Sequence, residues 1–189
     1  IESAGKKAGM PVGPLAVIDE VNLGLVARIR NQTRKDLAAE GKELPLVPAD
    51  PVIDLMTETM NRLGRANGGG FYEYPKNGKK YLWPELQTHF PPAKDPLNQD
   101  EMIERILFIQ AIETIRAYEE NVVTSVADAN IGSIFGWGFA PVKGGTLQFV
   151  NDYGIQEFEK RSQELAKKYG ERFNPPKMLK EMASKKEMF

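Results

Sequence analysis

The sequence contains no cysteine and only one histidine, His89. The lack of cysteine excludes disulfides, thiolate metal sites and a cysteine nucleophile, and it is compatible with a reducing cytoplasm. A single histidine excludes a histidine-cluster metal site. Because no serine elbow or second proton-transfer group accompanies His89, we expect it to be a surface or packing residue. We therefore predict no catalytic, cofactor-binding or metal-binding residue in this chain.

Long apolar runs and an excess of one charge are also missing. No segment resembles a signal peptide or a membrane-spanning helix, so we predict no membrane span. The 25 Lys and Arg residues nearly balance the 26 Asp and Glu residues, which gives a formal net charge of -1. This balance gives no reason to expect nucleic acid or acidic membranes as partners. With 189 residues the chain can bury a core, in one domain or two small ones.

The hydrophobic residues mostly recur at helical spacing. Leu15, Ile18, Leu25 and Ile29 predict a helix that begins at Pro14 and ends near Gly41. The clearest helix follows Asn98, which with Glu101 has the spacing of a capping box. Further helices are predicted over residues 54–65, 98–121, 127–135 and 155–169 and after Pro176.

One segment changes to a strand-like pattern. Phe71–Tyr74 and Lys80–Trp83 are rich in aromatic residues, and Asn77 and Gly78 lie between them as a turn. This predicts a small β-hairpin in a mainly α fold. Pro91, Pro92 and Pro96 then form a stiff connector. We therefore predict two helical domains, residues 1–92 with the hairpin and residues 93–189.

A glycine–proline turn followed by an apolar helix occurs twice. The stretch "GMPVGPLAVIDEVNLG" covers Gly9–Gly24, and a looser version, "GFAPVKGGTLQFVNDYG", covers Gly138–Gly154. In the second copy a long helix, residues 100–121, and a short helix precede the turn, whereas the first copy shows only the end of a short helix. If the copies are related, the counterpart of the long helix belongs before Ile1. We expect the chain to be a truncated piece of a longer protein.

Three polar features have ordinary structural explanations. The glycines of "GRANGGGFYEYP" lack the Gly-Lys-Ser/Thr ending of a phosphate loop, which favours a helix end and a tight turn. The adjacent pair Asp19 and Glu20 points in two directions and is expected on a solvated face. The basic tail is interleaved with Glu171, Glu181 and Glu187 and is likewise expected to be solvated.

The two turns remain the candidate binding features. A helix that starts at a turn offers free N–H groups, so residues Pro11–Pro14 or Pro141–Gly145 could line a ligand cleft. Alternatively, the glycines let two helices approach closely.

Several blocks resemble one enzyme family. "AGMPVGPLAVIDEVNLGL", "RLGRANGGGFYEYP", "GKKYLW" and "DANIGSIFGWGFAPVKGGTLQFVNDYG" resemble, in this order, the carboxyl-terminal region of L-3-hydroxyacyl-CoA dehydrogenases. The second helical unit resembles the multifunctional fatty-acid β-oxidation proteins, which fuse this dehydrogenase to an enoyl-CoA hydratase. The resemblance implies two related helical units of this C-terminal type, with the Rossmann domain absent.

The resemblance also implies a role for the piece. The parent enzyme would oxidise 3-hydroxyacyl-CoA to 3-ketoacyl-CoA with NAD. The missing Rossmann domain would bind NAD and the acyl-CoA, and it would carry the catalytic base. This chain alone would bind no cofactor and be inactive. It would support the dehydrogenase by helix packing and form one wall of the acyl-CoA cleft. The residues expected to line that wall are Met10, Pro11, Val12, Gly13 and Pro14.

Partners and location follow from the same resemblance. We expect a homo-oligomer or a β-oxidation complex, in the cytoplasm or in an organelle of β-oxidation, with the cytoplasm preferred. The alternative is a free-standing helical protein-interaction module without enzymatic activity. A related NAD-dependent acyl or sugar-acid dehydrogenase that shares the helical domain is a third reading.

Overall fold

Helices account for most of the computed structural model, which describes residues 1–189. The only sheet is one antiparallel hairpin that pairs Tyr72 with Leu82 and Glu73 with Tyr81. The mainly α fold with one small hairpin is therefore confirmed. None of the helices has both the length and the apolar character needed to cross a membrane. The helices are α1 (Glu2–Lys7), α2 (Pro14–Val21), α3 (Leu23–Ala39), α4 (Asp50–Asp54), α5 (Leu86–His89), α6 (Gln99–Glu119), α7 (Val126–Trp137), α8 (Thr146–Tyr153), α9 (Ile155–Tyr169) and α10 (Lys177–Lys185), and the strands are β1 (Tyr72–Glu73) and β2 (Tyr81–Leu82).

The chain forms two compact units, residues 14–96 and residues 1–13 with 97–189. The change at Pro96 lies within the predicted proline connector, but residues 1–13 differ from the predicted domain 1–92 because they pack with the carboxyl-terminal residues. Small residues in α1 and directly after it explain this placement, since Ala4 and Ala8 are buried. The side chain of Gln99, at the start of α6, bonds to Ser3 and Lys7 on α1.

The unit of residues 1–13 and 97–189 is built around α6. Phe108, on α6, is fully buried and stacks on Phe158 of α9, with ring centroids 4.1 Å apart. Phe149 and Tyr153 of α8 meet the Phe108 ring edge-on at 5.8 and 5.1 Å. Burying three aromatic rings and part of a fourth at one point supplies several kcal/mol of stability, at roughly 25 cal/mol per Å² of apolar surface. The core therefore fixes α6, α8 and α9 against one another.

The unit of residues 14–96 has a much smaller apolar core. Only Leu23, Met56, Phe71 and Trp83 form its buried cluster. The helix predicted from Pro14 to Gly41 is broken at Asn22, whose φ of 82° ends α2 and begins α3. The interruption was missed because the apolar spacing continues through it. Since α3 buries only Leu23, polar contacts must hold much of this unit together.

Asp19 provides one of these polar contacts. The prediction that it lies on a solvated face is wrong. Its side chain is 1% exposed and accepts hydrogen bonds from the backbone N–H groups of Phe71 (2.8 Å) and Tyr72 (2.9 Å) and from the Tyr74 hydroxyl (3.0 Å). Burial, followed by this bond to the Asp19 carboxylate, raises the pKa of the Tyr74 phenol. Asp19 therefore ties the start of the hairpin to α2.

A second buried carboxylate, Asp50, holds α3. Arg30 of α3 contacts Asp50 at 3.2 Å and also pairs with Asp54, and Arg34 lies 3.5 Å from Asp50. The backbone N–H of Val47, followed by the Arg30 guanidinium, holds the pKa of Asp50 below its ordinary value. The ion pair therefore fastens the otherwise weakly packed helix to α4.

The same succession of helix, single linking residue and longer helix occurs in each compact unit. This agrees with the prediction of two related helical units. Helices α2 and α8 each have 8 residues. A single residue of nearly the same conformation follows each of them, Asn22 at φ 82°, ψ 115° and Gly154 at φ 90°, ψ 118°, and a longer helix comes next. Later in each copy, a glycine with positive φ, Gly64 or Gly170, precedes one turn of 3-10 helix. We call residues 1–96 the first repeat and residues 97–189 the second repeat.

Replacing Asp19 by Asn should destabilise the unit of residues 14–96 by about 2 kcal/mol, because an amide cannot accept all three hydrogen bonds. The measurement is urea unfolding in a Trp137→Phe background, where Trp83 is the remaining fluorophore. Glu20→Gln is the matched control, since the Glu20–Arg65 pair is exposed and should cost well under 1 kcal/mol. Equal effects of both changes would contradict the assigned role of Asp19.

The stability of the same unit should fall in acid because of Asp50. Its folded-state pKa lies below the ordinary value of 3.8, so its contribution is complete above that pH and is lost as the pH falls through the folded pKa. The Trp83 unfolding midpoint, measured between pH 7 and pH ~2, should show this loss. Asp50→Asn should lower stability at pH 7 by about 3 kcal/mol and flatten the acid dependence. An unchanged acid slope would disprove the assignment.

Candidate functional site

The two glycine–proline turns of the sequence face each other in the structure. A β-carbon added at Gly9 would lie 3.1 Å from that of Ala140 and 3.3 Å from a methyl group of Val142. On the other side, a β-carbon at Gly138 would lie 3.2 Å from the ring of Pro11. Each glycine thus touches residues just after the glycine of the other turn. This mutual contact supports the interpretation that the glycines allow close approach.

The five residues predicted to line an acyl-CoA cleft do not share one environment. Met10 and Pro14 are half-buried, Pro11 and Val12 are exposed, and Gly13 is buried. Met10 to Gly13 belong to the unit with residues 97–189, and Pro14 begins α2 in the other unit. One face of Pro11 packs on Gly138. The exposed surface of the turn is therefore apolar, and its contact with substrate stays a prediction.

Each turn ends over a polar side chain of the preceding helix. A β-carbon at Gly13 would lie 2.2 Å from the Glu2 carboxylate, and one at Gly145 would lie 2.4 Å from the backbone of Asn130. The Asn130 side-chain oxygen accepts hydrogen bonds from the N–H groups of Leu147 (2.9 Å) and Gln148 (3.0 Å). These donors at the start of α8 are thus occupied, so they are not the free N–H groups expected for an anion site.

The glycine N–H groups of the glycine-rich loop are also bonded within the chain. Gly64 and Gly69 bond to each other through both of their N–H groups, and the Gly70 N–H bonds to the Tyr72 carbonyl. Arg62 donates to the carbonyls of Gly70 and Tyr72 from the other side. A phosphate cradle needs several backbone N–H groups that point to one empty space. The loop is instead a tight turn that leads into the hairpin, as the sequence predicts.

The lone histidine is a packing residue. His89 stacks on Trp83, with ring centroids 5.3 Å apart, and its Nε2 lies 4.0 Å from the carboxylate of Glu85. The basic tail is partly engaged in ion pairs, since Lys168 reaches Glu101 at 2.7 Å and Lys177 reaches Glu181 at 3.6 Å. Neither feature assembles a reactive group.

An open cleft lies elsewhere, between α6 and α7. This cleft of about 540 Å³ has mainly apolar walls. Its lining residues are Ile109, Gln110, Glu113, Thr114, Ala117, Val123, Asp128, Ala129, Gly132, Gly136 and Trp137. Sequence reasoning missed it, although the four-residue spacing of Gly132, in the predicted helix 127–135, and Gly136, just after it, was a signal of an open helix face.

Comparisons with known proteins agree with this architecture. Residues 1–74 match the family described as 3-hydroxyacyl-CoA dehydrogenase, C-terminal domain. The chain is also similar in structure to the dehydrogenase part of multifunctional enzyme 1 from C. elegans, with a TM-score of 0.63 and 14% sequence identity. That alignment covers 96% of this chain but only 41% of the C. elegans chain. Residues 1–74 are therefore similar to the 3-hydroxyacyl-CoA dehydrogenase C-terminal domain, and the structural similarity extends the shared helical fold to nearly the whole chain.

Proposed function

We propose that this chain is the duplicated helical part of an NAD-dependent 3-hydroxyacyl-CoA dehydrogenase of the multifunctional β-oxidation type. The observation that carries the proposal is the family match over residues 1–74, which includes the turn at Met10–Pro14. The similarity of the whole fold to the dehydrogenase part of a multifunctional enzyme supports it. The chain supplies packing surfaces and part of the acyl-CoA cleft, and the chemistry takes place in another part of the enzyme.

The residues of this chain do not fit the NAD cofactor. The pyrophosphate of a dinucleotide needs free N–H groups at a glycine-rich turn and a helix start. Here the glycine N–H groups of the glycine-rich loop and the N–H groups of Leu147 and Gln148 at the start of α8 are already bonded within the protein. His89 packs on Trp83, and we propose that it is a packing residue and not the catalytic base. We therefore assign cofactor binding and proton abstraction to residues outside this chain.

The turn at Met10–Pro14 is the part of the chain proposed to meet the acyl-CoA. Val12 is 39% exposed, and the rings of Pro11 and Pro14 stiffen the backbone on both sides of it. A rigid apolar turn is suited to the wall of an acyl cleft, because it excludes water without losing side-chain entropy. The proposed ligand of the turn is therefore an acyl-CoA. We also propose that the chain assembles with further copies or with subunits of a β-oxidation complex, in the cytoplasm or in a β-oxidation organelle.

A free-standing interaction module is the second candidate. The observation that favours it is the apolar surface of α7, where Phe135 is 86% exposed and Ile131 is 57% exposed. Such a module would show no dehydrogenase activity in any form of the gene product.

The first test is NADH-linked reduction of acetoacetyl-CoA, measured with the 189-residue chain and with the complete gene product. We expect turnover from the complete product only. Turnover by the chain alone would refute the assignment of chemistry to other residues, and no turnover by either would favour the interaction module.

The second test concerns the turn. In the complete product, Val12→Asp should raise the KM for acyl-CoA at least several-fold with little change in kcat, because a charge in the cleft weakens substrate binding. Val122→Asp is the matched control, since Val122 is 74% exposed and lies outside the turn. Equal KM values for the two variants would contradict the proposal that the turn lines the acyl-CoA cleft.

A further inference from the structure

A small cleft on α6 combines an apolar lining with two arginines. Its volume of about 380 Å³ lies within the range of small-molecule sites. Met102, Ile106 and Ile109 share one face of α6, because they are three or four residues apart. Arg105 of α6 and Arg172, in the turn that follows α9, also line the cleft. We call it the arginine cleft.

Part of the apolar lining lies outside the buried cores of the chain. Leu97, Met102 and Ile106 belong neither to the two core clusters nor to the side chains packed against them. Leu97 is 46% exposed, and the other two residues are half-buried. A ligand that carries an apolar chain would remove this surface from water, which favours its binding through the hydrophobic effect.

The two arginines of the cleft have no acidic partner within the chain. Neither guanidinium forms an ion pair, and the Nε of Arg105 is buried without a hydrogen-bond partner. The closest acidic residues in the sequence of α6 are engaged elsewhere, since Glu101 pairs with Lys168 and Glu104 pairs with Arg161. A half-buried cation without a counter-ion costs free energy. The charge of the cleft therefore favours an anion.

Aromatic rings and backbone bonds hold the arginines in place. The Arg105 guanidinium lies over the Tyr169 ring, 4.0 Å from its centroid, and that of Arg172 lies over the Phe173 ring at 5.1 Å. The turn that carries Arg172 is fixed to α6, because the Arg116 side chain donates to the Arg172 carbonyl at 3.2 Å. A guanidinium above a ring can still present N–H donors to an anion. The charges are therefore positioned before any ligand binds.

We propose that the arginine cleft binds a small organic anion with an apolar chain, namely a medium-chain alkyl carboxylate or alkyl phosphate. The Arg105 guanidinium donates to the anionic head, and Arg172 adds a second positive charge. The apolar chain lies against the apolar residues of α6. None of the residues 10–14 lines this cleft, so the site is separate from the turn proposed to meet the acyl-CoA. The proposal does not rest on the reaction catalysed.

Isothermal titration calorimetry with the 189-residue chain and with the complete gene product tests the proposal. Decanoate and decyl phosphate are compared with decanol, all below the concentrations at which they aggregate. At least one anion should bind about 10-fold or more tightly than decanol, and the tighter anion identifies the head group. From the hexyl to the octyl and decyl forms of that anion, the affinity should rise about three- to fourfold for each added methylene. Decanol binding as tight as that of both anions would overturn the proposal, as would failure of either protein form to bind an anion.

Three variants locate the binding. Arg105→Gln should weaken binding of the tighter anion about 10-fold or more, because a charged hydrogen bond is lost, and Arg172→Gln should weaken it about threefold or more. Ile106→Trp keeps both charges but fills the cleft, so it should also weaken binding about 10-fold or more. Arg28→Gln is the matched control, since Arg28 is an exposed arginine of α3 outside the cleft and its loss should leave the affinity unchanged.

Thermal unfolding is recorded for every variant, because Arg105→Gln also removes the contact with Tyr169. If that variant does not fold, Arg172→Gln and Ile106→Trp decide the test. Unchanged affinity in both of them, or an equal loss in Arg28→Gln, would contradict the proposal. Acetoacetyl-CoA reduction by the complete product is scored separately, so that failure of the proposed function and failure of this inference are distinguished.

Discussion

The contact between the two glycine–proline turns is the constraint on which this architecture depends. Gly9 and Gly138 have φ values of 100° and 76°, which side chains other than glycine rarely adopt. Their missing β-carbons let Ala140 and Pro11 come within van der Waals distance. Because the contact joins the first repeat to the second, residues 1–13 pack with residues 97–189. The position of α1 on α6 is part of the same packing.

The two compact units are stabilised in different ways. The unit of residues 1–13 and 97–189 relies on aromatic packing around Phe108. The unit of residues 14–96 has a small apolar core and uses the buried carboxylates Asp19 and Asp50 instead. Such carboxylates stabilise only when their hydrogen bonds are complete, so they also fix the geometry of the hairpin and of α3. The hairpin of β1 and β2 can thereby be held in place with few apolar residues.

Sequence patterns predicted the elements that depend on local signals. The hairpin, the helix after Asn98 and the repeated turns were recognised from turn residues, capping and spacing, and Asn98 does accept the Asp100 N–H. Glu101 does not complete the capping box, because it bonds to Lys168 and Tyr169. Its pKa is lowered by those bonds, first by that to Lys168.

The remaining features depend on contacts distant in sequence. No local signal indicates that Asp19 is buried, because its partners are at residues 71, 72 and 74. The same is true of the packing of residues 1–13 with residues 97–189. The break at Asn22 is hidden because apolar spacing continues through it. For the candidate site, the five turn residues could be named from the family resemblance, but the cleft between α6 and α7 could not, since it depends on how the two helices pack.

Native-state hydrogen exchange at increasing denaturant tests the turn contact most directly, because it shows which residues unfold together. The amides of Ala8 and Met10 bond within the first turn region, to the carbonyls of Ala4 and Gly5. They should become exposed in the same cooperative step as Ile112 of α6. The account would be contradicted if these two amides exchanged together with those of Leu23 and Trp83, in the step that opens residues 14–96. Residues 1–13 would then not be held to residues 97–189 by the turn contact.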